Sequence, residues 1–287
     1  MRTFHLAEPP FYTLQGEGRY TGVPSVFLRM FGCNFRCRAF NRNLDSIPVD
    51  EKHNPEVAEI IKNIDNYKSI NDLPLVTTGC DSYLAIYPEF KRFVIKRSTE
   101  ELIKDIIDLL PWKNWNGQHL VITGGEPLLG WQRLYPELLV NHQMNDLTAI
   151  TFETNGTQKL TEQFKDYLTL WKKQNKEVTF SVSAKLSCSG ELAKDAIKPE
   201  IVCEYAEVGP TYLKFVVATL DDVKEALSVI NDYRFAGFTG DVYLMAVGGV
   251  AAVHQLNSRA VAELALKYGL RYSDRLQVGL WKNSWGS

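Results

Sequence analysis

No apolar run in this 287-residue chain approaches the roughly 20 residues that span a bilayer. The opening Met1-Arg2-Thr3-Phe4-His5 lacks the apolar core of a secretory signal. Together these absences predict a cytoplasmic protein with no membrane partner. Charge of one sign is also scarce. Lys and Arg number 32 against 34 Asp and Glu, a net charge of −2. Nucleic-acid recognition needs a basic face, so no nucleic-acid partner is expected. Cysteines are few and odd in number, five in all. In a cytosolic chain they do not make a disulfide framework, which leaves metal ligation, catalysis or packing. Internal repeats, low-complexity stretches and linkers are missing, so residues 1–287 read as one domain. At 45% hydrophobic and 23% charged, the composition supplies ample material for a core.

Two cysteines stand together. Val26-Phe27-Leu28-Arg29-Met30 reads as a buried strand, and the glycine-led turn after it carries Cys33 and Cys37. Two thiolates four apart on one short loop can reach one metal centre. A third cysteine at position 40 would complete a Cys-x3-Cys-x2-Cys loop, but Phe40 stands there. Either the metal site is dead or the third thiolate comes from elsewhere.

Upstream, Gly16, Gly18 and Gly22 alternate with Gln15, Glu17 and Arg19. Such a loop permits close backbone approach to a ligand, and equally describes a solvent loop. From Asn41 to Gly79 there is no strand pattern. Only 56–62 shows a helical apolar pattern, with Asn54 as its cap and Pro55 at the first helical position. A loop of this length inside a domain is functional or mobile, and it reads as an insertion. Ser98 then opens a helix with Leu102, Ile103, Ile106, Ile107 and Leu110 on one face, ended by Pro111. Strands follow at 119–122, 147–152, 178–183, 212–217, 241–246 and 275–281. Helices near 131–141, 161–174, 221–233 and 257–269 separate them. This alternation predicts an α/β fold with right-handed crossovers and a mainly parallel sheet. Six or seven such strands suit a barrel or partial barrel.

Each polar or glycine-rich cluster follows the end of a strand. In parallel α/β folds those ends form one ligand-binding edge. Thr123-Gly124-Gly125-Glu126-Pro127 leaves backbone groups open to an amino-acid-like ammonium and carboxylate, and Glu126 adds an anion for the ammonium. Ser181, Ser183 and Lys185 alternate and so share one face of their strand. Cys188 and Cys203 read as packing cysteines.

Cys80, in Thr78-Gly79-Cys80-Asp81-Ser82, supplies a candidate third thiolate. Its setting resembles the radical S-adenosylmethionine (SAM) superfamily. The resemblance narrows to the 7-carboxy-7-deazaguanine synthase family on several runs. These are Phe11-Tyr12-Thr13-Leu14-Gln15-Gly16-Glu17-Gly18, Pro24-Ser25-Val26-Phe27-Leu28-Arg29 and Gly32-Cys33-Asn34. Further on come Thr123-Gly124-Gly125-Glu126-Pro127-Leu128-Leu129, Glu153-Thr154-Asn155-Gly156-Thr157 and Leu213-Lys214-Phe215-Val216-Val217. The matches run in order from residue 11 to about 280, with 41–79 as an insertion in the cluster-binding loop.

The resemblance implies a partial (β/α) barrel in which Cys33, Cys37 and Cys80 hold three irons of a [4Fe–4S] cluster. SAM would chelate the fourth iron, and its reductive cleavage would give a 5′-deoxyadenosyl radical. That radical would take hydrogen from C6 of 6-carboxy-5,6,7,8-tetrahydropterin, and ring contraction with ammonia loss would yield 7-carboxy-7-deazaguanine. The cluster and SAM carry this chemistry, so no side chain is implied as catalytic. Leu14, Gln15, Gly16, Glu17, Arg29, Thr123 and Ser287 would contact substrate, Arg29 as a fork for its carboxylate. Asp81, Gly125, Glu126, Ser183, Ala184, Lys185, Met245, Ala246, Val247 and Gly248 would line SAM. Met245 stands where the family usually places Gln. Ser82 would supply a hydroxyl to Mg²⁺. An electron donor such as flavodoxin or ferredoxin, and a homodimer, are implied as well. The insertion is expected to fold back and bring Cys80 beside Cys33 and Cys37.

Two competing readings are a structural zinc protein using Cys33, Cys37, Cys80 and His53, and an activase that installs a glycyl radical on a partner enzyme. The zinc reading leaves the Gly-Gly-Glu-Pro edge unexplained. The opening and C-terminal matches argue against the activase.

Overall fold

Apolar segments with a period of two alternate with amphipathic helices, and the backbone follows that alternation. The computed structural model describes residues 2–287. Among them a 10-stranded sheet forms from β1 (Phe4–Leu6), β2 (Phe11–Leu14), β3 (Pro24–Met30), β4 (Ile95–Arg97), β5 (His119–Gly124), β6 (Ala149–Thr154), β7 (Glu177–Val182), β8 (Thr211–Val217), β9 (Val242–Ala246) and β10 (Arg271–Ser273). The order is β10-β9-β8-β7-β6-β5-β3-β1-β4, with β2 paired to β3. From β10 to β3 every neighbouring pair is parallel. The pairings of β1, β2 and β4 are antiparallel. The two ends of the order, β10 and β4, do not pair with each other, so the sheet is open.

The helices are α1 (Pro55–Lys62), α2 (Thr99–Leu109), α3 (Tyr135–Leu139), α4 (Glu162–Lys172), α5 (Ala193–Ala196), α6 (Pro199–Val208), α7 (Leu220–Phe235), α8 (Ala251–Tyr268) and α9 (Leu276–Trp281). Their starts are chemically marked. Ser98 and Glu101 form a reciprocal capping box on α2, and Thr219 and Asp222 do so on α7. Asn54 caps α1 by accepting from Val57 N–H at 2.8 Å. None of the described helices is long and apolar enough to cross a membrane.

Two local readings change. The segment 275–281, read as a strand, is instead the helix α9 after the short β10. Leu276, Val278 and Leu280 alternate like a strand, but only Val278 is buried. Arg275 and Gln277 are instead drawn inward by Glu17. The helix read at 131–141 is cut to α3, with Pro136 in its first turn.

Each parallel strand has two unlike faces. Val26, Leu28 and Met30 on β3, Leu120 and Ile122 on β5, Phe152 on β6, Phe180 on β7 and Phe215 on β8 belong to the main core. Phe152, Phe180 and Tyr205 stack there with ring centroids 5.6 and 4.6 Å apart. Each fully buried aromatic contributes about 2–3 kcal/mol of burial free energy. The opposite face carries Arg29, Thr123, Glu153, Ser181, Lys214 and Met245, all bordering one cavity. The insertion builds its own small core. Val57, Ile60, Leu73 and Val76 pack on Tyr83, Leu84, Ile86 and Phe90, with Trp285 from the far end of the chain against them.

The β3–β5 contact depends on one glycine. Gly124 has φ +128°, and a Cβ there would lie 2.2 Å from the Met30 carbonyl oxygen. Gly124→Ala is expected to cost more than about 2 kcal/mol, because backbone strain and backbone overlap add. Thermal denaturation of the purified variant checks this.

Candidate active site

The cavity lies at the C-terminal ends of the parallel strands, where each strand hands its chain to a loop. Thr123 to Gly125 end β5, Glu153 to Asn155 end β6, Ser181, Ser183 and Lys185 come from the end of β7 and the loop after it, and Met245 to Gly249 end β9. Leu14 to Glu17 from the β2–β3 loop, and Asn283 to Ser287 from the C-terminus, complete the walls.

Three cysteines meet at this cavity. Cys33, Cys37 and Cys80 all line it, and they share one small apolar cluster with Phe35, Phe40, Ala196 and Ile197. Several contacts fix the Cys33–Cys37 loop. Gly32 N–H donates to the Ala85 carbonyl at 2.8 Å, and the Arg36 and Cys37 amides donate to Glu191 at 2.8 and 2.7 Å. Asn155 Nδ2 donates to Asn34 Oδ1 at 2.9 Å. The insertion returns because its ends are bonded together. Gly79 N–H donates to the Phe40 carbonyl at 2.9 Å, Asn54 Nδ2 to the Thr78 carbonyl at 2.8 Å, and Glu56 accepts from Thr77 and Thr78.

Burial raises all three thiols. Cys33 is pushed up to about 11, Cys80 to about 12 and Cys37 well above the ordinary range. Buried neutral thiols without a disulfide partner suit a centre whose positive charge replaces their protons. A tetrahedral zinc ion would need sulfurs within about 4 Å of one another. Among the described residues no three His, Cys, Asp or Glu side chains close around a single ion. His53, the fourth ligand of the zinc reading, pairs with Glu89 at 3.2 Å and packs on Tyr87. An iron–sulfur cluster carries its cysteines on separate irons, so it takes a wider set. The three cysteines, at one cavity and in one apolar cluster, are the type of donor set such a cluster takes.

A buried charge network lies on the cavity floor. Glu17 accepts from Lys214, from Arg275 Nε at 3.0 Å and from Gln277 Nε2 at 2.8 Å. Burial alone would raise the Glu17 carboxyl, but Lys214 and Arg275 hold it well below the usual range. Burial would lower Lys214, yet Glu17 and Glu153 raise it. Glu153 accepts from Gln15 Nε2 at 3.0 Å and Thr123 Oγ1 at 2.9 Å. Gly16 makes room for this floor, since a Cβ there would lie 1.7 Å from Gln277 Oε1.

Arg29 is already engaged. Its Nε donates to the buried Glu8 at 2.5 Å and its Nη1 to Ser82 Oγ at 3.0 Å. Glu8 also accepts from Gly286 N–H at 3.1 Å, which ties the C-terminal segment to the same cluster. Trp285 Nε1 donates to the Leu73 carbonyl at 3.0 Å, so the insertion seats that segment.

Of the residues singled out from sequence, Leu14, Gln15, Gly16, Glu17, Arg29, Thr123 and Ser287 line the cavity. So do Asp81, Ser82, Gly125, Ser183, Lys185 and Met245 to Gly248. Glu126 and Ala184 are buried and do not line it. Glu126 turns inward and accepts from Thr154 Oγ1 at 2.8 Å, Asn155 N–H at 2.7 Å and Leu128 N–H at 3.0 Å. Burial raises its carboxyl despite these bonds. Ser82 offers its oxygen to a guanidinium, which disfavours a cation there. Cys188 and Cys203 do not line the cavity; they donate to the Val216 and Ala236 carbonyls. Sequence reading missed Glu8, Glu153, Lys214 and Arg275 as site residues. Two of them carried a signal: Glu153 opens a polar run at a strand end, and Lys214 is a lone cation within the apolar run Tyr212 to Val217.

No family model matches the chain. It is 28% identical over 284 residues to the 7-carboxy-7-deazaguanine synthase of Halobacterium salinarum, covering 96% of this chain and 89% of that one. The enzyme of the same name from Pyrobaculum aerophilum is 26% identical over 276 residues, covering 96% and 94%. Among solved structures, QueE from Escherichia coli superposes with a TM-score of 0.51 at 20% identity, covering 96% of this chain and 94% of that one. That likeness supports a shared fold.

Proposed function

We propose, since this chain belongs to the 7-carboxy-7-deazaguanine synthase family, that it converts 6-carboxy-5,6,7,8-tetrahydropterin to 7-carboxy-7-deazaguanine in 7-deazapurine (queuosine-type) biosynthesis. The fold is then a partial (β/α) barrel and the enzyme a cytoplasmic lyase. The observation that carries the reading is the meeting of three thiols at one cavity with Arg29 and the carboxylates of Glu17 and Glu153.

Cys33, Cys37 and Cys80 would hold three irons of a [4Fe–4S] cluster, leaving the fourth for the amino and carboxylate groups of SAM. When bound, cluster and SAM supply the one-electron chemistry that removes hydrogen from the pterin. The protein's own part is to seat, orient and enclose. Gly125, Ser183, Lys185, Asp81 and the Met245–Gly248 turn form the seat for SAM, with Ala184 and Glu126 supporting it from behind. Met245 has no strong hydrogen-bonding group, so polar recognition at that turn falls to backbone groups of Ala246, Val247 and Gly248.

On the substrate side, Arg29 offers the fork a carboxylate requires. Glu17 and Glu153 present acceptor oxygens for the amino and ring N–H groups of a pterin. Leu14 and Gly16 shape the wall, Gln15 and Thr123 orient Glu153, and the segment to Ser287 covers the mouth and excludes water. A magnesium ion at Ser82 would require its oxygen to give up Arg29; a substrate carboxylate is the group that would draw Arg29 away. An electron donor of flavodoxin or ferredoxin type, and pairing into a homodimer, accompany this reading.

Arg29→Lys is expected to raise KM for the pterin by about tenfold or more with a smaller change in kcat, because lysine keeps the charge but loses the fork. Steady-state kinetics check it. The function itself is tested by anaerobic reconstitution, reduction and incubation with SAM and carboxytetrahydropterin. The expected product is 7-carboxy-7-deazaguanine, identified by mass. Formation of 5′-deoxyadenosine without any deazaguanine would assign a different substrate and overturn the proposal.

A further inference from the structure

Arg275 joins three elements that are remote in sequence. Its Nε donates to Glu17 Oε1 at 3.0 Å, its Nη1 to the Gly248 carbonyl at 2.5 Å and its Nη2 to Asp81 Oδ2 at 2.5 Å. The side chain is buried, and all its partners line the cavity. A guanidinium serves the three acceptors from three separate nitrogens; a lysine ammonium also has three donors, but all on one nitrogen.

Asp81 is the residue directly after Cys80. The loop holding Cys33 and Cys37 is short and is bonded to Glu191, Ala85 and Asn155. Cys80 instead ends an excursion that begins after Phe40. On its upstream side the Gly79–Phe40 backbone bond closes that excursion. On its downstream side Arg275 is the cation bonded to Asp81. Arg29 is close enough to act on the Asp81 charge, but its own bonds go to Glu8 and Ser82. Glu17 has Lys214 and Gln277 as well, so it does not depend on Arg275 alone.

We propose that Arg275 is a positioning residue for the third thiol: through Asp81 it fixes Cys80 against Cys33 and Cys37. The anchor thus comes from the opposite end of the chain and compensates for the lengthened loop. This inference rests on the iron–sulfur reading of the three cysteines, but its test does not require the cluster.

The test is residue-resolved labelling of the reduced, metal-free protein with a maleimide, followed by mass spectrometry. Arg275→Gln and Asp81→Asn are each expected to raise the Cys80 labelling rate by about tenfold or more, since the Arg275–Asp81 ion pair is lost and the segment opens locally. Cys188 and Cys203 should label as in the wild type. The double variant should label no faster at Cys80 than Arg275→Gln alone, because the Arg275–Asp81 contact is already lost there. Arg275→Lys should fall between wild type and Arg275→Gln. Should Arg275→Gln fail to fold, Asp81→Asn retains the Arg275–Glu17 contact and carries the test. An unchanged Cys80 rate in a folded variant would overturn the inference. So would a uniform rise at all five cysteines, which marks general loosening. Failure of the wild type to take up iron would instead sink the iron–sulfur reading and leave the labelling result standing.

Discussion

Cys80→Ala is expected to abolish both iron–sulfur loading and deazaguanine formation, while Cys188→Ala leaves each within about twofold of wild type. The difference follows from where the two thiols sit. Cys80 lines the cavity with Cys33 and Cys37, whereas Cys188 does not and donates to the Val216 carbonyl. Removing one of three thiolates leaves an iron without its protein ligand, and the remaining pair comes from a single loop. Cys33→Ala and Cys37→Ala should match Cys80→Ala. Iron and sulfide content, with absorbance near roughly 400 nm, reads the loading. A Cys80→Ala protein that still holds a full cluster would place the third ligand elsewhere and make the insertion's return irrelevant.

The second large effect is on stability. Lys214→Met should destabilise the protein by about 3 kcal/mol at pH 7, since it leaves the buried Glu17 with fewer cationic partners. The size of that penalty depends on pH in a definite direction. Glu17 is held below the usual carboxyl range in the folded protein, so it contributes stability above its unfolded value of about 4.3. That contribution is lost as pH falls through the depressed folded value. Lys214 is held above the ordinary lysine range by Glu17 and Glu153, so it stays cationic throughout the acid region. The gap between wild type and Lys214→Met should therefore be widest near neutrality and narrow below about pH 4. Urea denaturation of both proteins at pH 7 and at pH 3 measures it. A gap that is constant with pH would mean that packing, not the ion pair, is what the lysine supplies.

What sequence made legible was local. The Asn54 cap, the Ser98–Glu101 box and the alternation through Ser181, Ser183 and Lys185 all depend on neighbours within a few residues. The mainly parallel sheet followed from the spacing of strands and helices, and the ligand edge followed from the parallel strands; the strand order did not. Residues whose roles depend on distant partners were not legible. Glu8 reads as an ordinary N-terminal acid until Arg29 and Gly286 close on it. Arg275 falls in a stretch whose alternation imitates a strand, and its partners lie near residues 17, 81 and 248. Glu126 shows the opposite failure. Its motif suggested an anion facing a ligand, but three nearby donors turn it inward.

These observations also give the insertion a physical role. Its bonded base returns Cys80 to the cavity, and its small core seats Trp285 with the C-terminal segment behind it. One segment thereby touches both the three-cysteine set and the C-terminal residues that line the cavity.

The most direct measurement is Mössbauer spectroscopy of wild-type protein reconstituted anaerobically with ⁵⁷Fe, recorded before and after addition of SAM. About four irons per chain in a [4Fe–4S] cluster are expected, with one iron site shifting when SAM is added because three cysteines would leave that iron open. A colourless protein carrying one zinc, or a cluster whose irons all ignore SAM, would contradict it.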